Sequence, residues 1–152
     1  MLSPGHTLAS ITYVVGDAAL VHDTLMVPDS GTSRADFPGG DAAVQYRSIK
    51  AILALPPETA TYVGHDYGKD GREIIGRSTV AEQRRSNIHV HDGIEEEDFV
   101  ATRSKRDATL PLPNLMLAAL QVNIRGGRLP DPEPCGTAFL KIPLDHFQAH
   151  SG

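Results

Sequence analysis

The chain contains no tryptophan, one cysteine, and no apolar run longer than LMLAAL at 115–120. Each shortage excludes something. One thiol, Cys135, cannot build an internal disulfide framework and suits a reducing compartment. It sits in the Pro-rich stretch LPDPEPCG with no basic neighbour to lower its pKa, so an inert loop thiol is expected. Six apolar residues are far too few to cross a bilayer. MLSPGHT has no basic segment followed by an apolar one, so no secretory signal is read there and a cytoplasmic location is expected. Basic residues are also in the minority. A formal net charge of −5 with no basic stripe argues against a nucleic-acid backbone as partner. No repeats and no low-complexity linker interrupt the sequence.

What remains is an ordinary globular composition, 40% hydrophobic and 22% charged, so a packed core is expected. At 152 residues there is room for one domain, read here as residues 1–152 with a short C-terminal extension from about 110. Residues 9–15 and 18–22 read as two strands around the turn Gly16-Asp17. The Gly- and Pro-rich stretch PDSGTSRADFPGGD is a long loop with a suspected role. Spacing of Ala42, Tyr46, Ile49, Ile52 and Leu53 predicts a helix from Asp41 to Leu55, with Asp41 as its cap and Pro56-Pro57 as its stop. A strand, TATYVGH, and a glycine-rich loop follow. Thr79 and Glu82 stand at capping-box distance before a shorter helix, TVAEQRRSNIHV. IEEEDFVATRSKRDA reads as an exposed helix, and NLMLAALQV as one more. Strands alternating with helices indicate an α/β fold.

Three segments carry chemistry to an element end. SPGHTL presents His6, ALVHDTL presents His22 and Asp23, and TYVGHDYG presents His65. Asp and His suit zinc, iron or manganese. A single such histidine is more often a hydrogen-bonded core residue, and three of them shift the balance towards a site. His89-Val90-His91 lacks a third histidine and reads as surface. His146 and His150 fall near the C-terminal end, where disorder is the default.

SPGHT, HDTLM with PDSGTSRADFPGGDA, and VGHDYG followed by STVAEQRRSN resemble the second half of a metallo-β-lactamase-fold protein, in the persulfide (sulfur) dioxygenase branch near glyoxalase II. The resemblance runs from His6 to about Leu144, and VNIRGGRLPDPEPCGTAFLKIPL is similar to the tail of bacterial members. It implies the C-terminal half of an αββα sandwich. It also implies a metal held by His6 and Asp23, with His65 beside it or on a second metal. Iron(II) is the expected cofactor, zinc the alternative, and a chain holding neither is the third case. Tyr67 and Arg84 would hold glutathione, since a guanidinium matches a carboxylate in two places. Arg34 and Asp36 would brace the loop near the metal, or form an ion pair of structural value alone.

The implied activity is oxidation of glutathione persulfide to sulfite, a step of sulfur metabolism. Thioester hydrolysis of the glyoxalase II type and thiol or partner binding without turnover are the alternatives. Family members take further ligands from H-x-H-x-D-H in their first half, and this chain has no such motif. An incomplete site is therefore expected, inactive alone, with a separate N-terminal half or a second copy as partner. The family's glycine before the ligand aspartate is His22 here, which either crowds the strand end or supplies a replacement ligand. The family's GHTPG is GHTLA.

Overall fold

A computed structural model describes residues 1–142, so His146 and His150 lie outside the described residues. The described residues divide into two units, 1–110 and those from 111 onward. In the first, four strands, β1 (Tyr13–Val15), β2 (Ala18–His22), β3 (Ala60–Val63) and β4 (Arg77–Thr79), form one sheet in the order β1-β2-β3-β4. β1 and β2 are an antiparallel hairpin whose turn needs Gly16 at φ +59°. β2 and β3 are parallel, so a helix must connect them. That helix is α1 (Ala42–Leu53). Asp41 caps it by accepting from Val44 N–H at 2.8 Å, as its sequence position predicts.

Alternation decides which sheet face is covered. Ala19, Val21 and Thr61 are fully buried against Ile49 and Ile52 of α1, Val80 of α2 (Val80–Ser86) and Phe99 of α3 (Glu96–Asp107). The opposite face stays open. There the cross-strand row Tyr13, Leu20, Tyr62 is exposed, with Arg77 packed over the Tyr62 ring. One helical layer on one sheet is half of an αββα sandwich, as the sequence resemblance implies.

Three sequence expectations need correction. The first strand begins at Tyr13, not residue 9, because Leu2 bridges Ile11 and Thr12 N–H donates to Met1 O at 2.9 Å. The N-terminal residues pair back on themselves. α2 has the expected capping box of Thr79 and Glu82, yet it stops at Ser86. Asn87 ends it: the Asn87 side chain accepts from His89 and Val90 N–H and donates to Gly31 O. α3 is not an exposed helix, since Phe99, Arg103 and Asp107 form a buried stripe at four-residue spacing. β4 has no counterpart in the sequence reading.

The second unit holds α4 (Met116–Asn123), and none of its described residues is buried. Lys141 pairs with Glu133 at 3.0 Å, and Cys135 is exposed. No described helix is long and apolar enough to cross a membrane.

Candidate metal centre

Because β2 and β3 are parallel, their C-terminal ends lie side by side, and both deliver site residues. A register shift between Leu20 and His22 bends the end of β2, and His22 takes a left-handed φ of +52°. Asp23 follows. Its Oδ1 accepts from His65 Nδ1 at 2.7 Å, and its Oδ2 lies 3.5 Å from His22 Nδ1. Gly64 makes the first contact possible, since a Cβ there would sit 2.7 Å from Asp23 Oδ1. The Asp23 side chain is 14% exposed and that of His65 55%, so the pair stands at a mouth open to solvent. The Tyr67 ring stacks parallel to His65, with centroids 5.9 Å apart.

His6 arrives from a loop held by Ser3 N–H to Ser10 O and by Asp41 N–H to Gly5 O, both 2.9 Å. Gly5, at φ +132°, rests directly on the Gln45 backbone in α1. Facing His6 Nδ1 at 2.7 Å is the carbonyl oxygen of Arg34. A carbonyl only accepts, so in the neutral ring Nδ1 carries the proton and Nε2 the lone pair. This is how a protein orients an imidazole for a metal. The ring also packs on Phe37, under the Arg34 guanidinium. Arg34 forks onto Asp36 at 2.5 and 2.6 Å, holding the Asp36 carboxyl below its usual range.

Loops behind the site are fastened by charges that sequence reasoning missed. The Asp66 side chain is fully buried and accepts from Arg72, Gly68 N–H and Ile75 N–H. Arg72 bonds lower its pKa far below the carboxylate norm. The same guanidinium reaches Asp29 at 2.7 Å, joining the loop after β3 to the loop after β2. Ser33 donates to the Asp23 carbonyl, and buried Gln45 donates to Ser33 at 3.2 Å. Only Asp66, next to a suspected ligand, carried any sequence signal.

The donor types fit a divalent metal: a free imidazole nitrogen, a carboxylate and a second imidazole. Three donors of these types are the number a site needs, so whether they converge decides the matter. Catalytic zinc takes three protein ligands and mononuclear iron two histidines and a carboxylate. Among the described residues no group of three or more His, Cys, Asp or Glu side chains could hold a metal ion. The structure joins Asp23 with His65 and does not gather His6 with them into such a cluster.

No protein-family profile matches the chain. A "beta-lactamase hydrolase-like protein" of Agrobacterium fabrum is 63% identical, covering 95% of this chain and 33% of that protein. Mitochondrial persulfide dioxygenase ETHE1 of Bos taurus is 35% identical, covering 82% of this chain and 46% of that one. The solved structure of ETHE1 from Myxococcus xanthus superposes with a TM-score of 0.73 at 36% identity, covering 84% of this chain and 53% of the other. The chain belongs to the metallo-β-lactamase superfamily. It spans between a third and about half of the length of these superfamily relatives.

The surroundings of two further residues singled out in the sequence, Arg84 and His89, are also defined in this superfamily chain. Arg84 is on α2, in a hollow lined by Pro57, Ala81, Arg85 and Asp92. Its guanidinium is paired with Asp92 at 3.0 Å. His89 is not at the surface: it is buried, and its Nδ1 accepts from Thr32 N–H at 3.0 Å. Burial first, then the nearby Arg103, pushes its pKa down to about 4.

Proposed function

We propose that this chain supplies His6, Asp23 and His65 to the iron(II) centre of an enzyme that oxidises glutathione persulfide to sulfite. The observation that carries the reading is the juxtaposed ends of β2 and β3, with the Asp23 carboxylate clasped by His65. Likeness to ETHE1 in sequence and fold supports the persulfide branch. Iron(II), when bound, supplies the open positions and redox chemistry that oxidation by dioxygen needs. His6 and Asp23 are the donors, His65 fixes the Asp23 carboxylate, and Tyr67 offers a ring and a hydroxyl to the thiol ligand at the mouth. Arg84 would engage a glutathione carboxylate by exchanging it for Asp92. The open face of the sheet supports a partner that brings a second sheet and the H-x-H-x-D-H ligands, from a separate N-terminal half.

Zinc-dependent thioester hydrolysis is the second reading, favoured by the hydrolase-like name of the Agrobacterium relative. The test is anaerobic iron loading and metal analysis of the chain, alone and mixed with a polypeptide carrying H-x-H-x-D-H. Oxygen uptake with glutathione persulfide is then compared with hydrolysis of lactoylglutathione. Uptake supports the proposal, and hydrolysis without uptake selects the second reading. Neither activity, with no bound metal in the mixture, leaves a thiol- or partner-binding module.

A further inference from the structure

Arg103 and Asp107 form an ion pair on α3, 2% and 4% exposed. Burying two charges is expensive, and a well-packed apolar pair often stabilises a core as well or better. Stability alone therefore gives no reason for this pair, but its remaining hydrogen bonds do. Arg103 Nη1 donates to Thr32 O at 3.0 Å, and Asp107 Oδ2 accepts from Ala35 N–H at 2.8 Å. His89 adds a third anchor at Thr32 N–H. These fixed peptide groups bracket two residues, Ser33 and Arg34. Those two touch the proposed ligands: Ser33 Oγ donates to the Asp23 carbonyl, and the Arg34 carbonyl accepts from His6 Nδ1. The segment 32–35 is thus nailed to α3 at both ends and grips His6 and Asp23 between them.

We propose that Arg103 and Asp107 are positioning residues that set the tautomer of His6 and the placement of Asp23 through segment 32–35. The part concerning metal affinity rests on the metal reading above, whereas the part concerning His6 does not. A directional role explains why the pair is charged: an apolar pair would fill the space but could hold neither Thr32 O nor Ala35 N–H.

The experiment replaces the pair by apolar residues of similar length, Arg103→Met with Asp107→Leu, in the full chain. Two readouts follow, the ¹⁵N shifts of the His6 ring in the chain alone and the cobalt(II) dissociation constant with its visible spectrum for the chain mixed with a polypeptide carrying H-x-H-x-D-H. The unsubstituted chain should show His6 as the Nδ1–H tautomer. The double variant should show a tautomer mixture, a changed cobalt spectrum and about 10- to 100-fold weaker cobalt binding. A folded double variant with the same His6 tautomer and cobalt affinity overturns the inference. No cobalt binding by the unsubstituted chain mixed with that polypeptide, with the tautomer still shifting in the variant, removes the metal reading and leaves the positioning of His6 standing. Where the double variant does not fold, Asp107→Asn keeps the volume but cannot accept from both Arg103 and Ala35, and it is judged by the same two readouts.

Discussion

Replacing Gly5 by alanine tests how the histidine loop is seated. Gly5 has φ +132°, and a Cβ there would lie far inside contact with Cα, Cβ and N of Gln45. Gln45 is fully buried in α1, so its backbone has no free direction in which to retreat. Relief would require a separation of the loop and helix by on the order of 1 Å, given ordinary carbon–carbon contact distances. Backbone strain adds about 1–3 kcal/mol and overpacking about 1–3 kcal/mol, so a loss of about 2–6 kcal/mol is expected. The control is Gly16→Ala, at φ +59° with nothing within 4 Å of the added methyl. It should lose only about 1–2 kcal/mol of left-handed backbone cost. Urea denaturation separates them, since about 2 kcal/mol moves the midpoint by roughly 1 M at a slope near 2 kcal/mol/M. His6 follows Gly5 directly, so the first variant should also lose the Nδ1 contact with Arg34. Equal midpoints for the two variants would refute the reasoning, because they differ in the packing of one methyl group.

Other consequences can be checked with single substitutions. Gly64→Ala pushes a methyl into the space of Asp23 Oδ1; it should weaken cobalt binding about tenfold by calorimetry with little change in the denaturation midpoint. His89 has its native pKa lowered to about 4 from 6.5, so the unfolded chain takes up a proton before the native one does. Stability present above pH 6.5 is then lost as pH falls towards about 4, by about 2–3 kcal/mol; acid profiles of His89→Gln and the parent that coincide would contradict this. Thr79→Ala removes half of the α2 capping box and should cost about 1 kcal/mol in urea melts.

Local chemistry was readable in the sequence where a residue acts on its own neighbours. Asp41 and Thr79 each bond to the backbone three residues on, so their helices could be placed before any tertiary contact was known. The end of α2 was not readable, because Asn87 chooses between continuing the helix and bonding to Gly31, far away in sequence. The buried stripe of α3 was hidden by its own composition: two of its three members are charged, and hydropathy reads charge as surface. At the site, strand ends and motif order pointed to His6, Asp23 and His65. The pairing of Arg84 with Asp92, and the grip of Ser33 and Arg34 on the donors, depend on how separate segments meet.

The open sheet face has a use at the bench. The chain has no tryptophan and four tyrosines, so its intrinsic fluorescence comes from tyrosine. Tyr13 and Tyr62 lie on that uncovered face, Tyr67 beside His65, and Tyr46 in the core with its hydroxyl donating to Ile94 O. Phenylalanine replacements one at a time would therefore give separate optical channels for events on the bare sheet, at the mouth and in the interior.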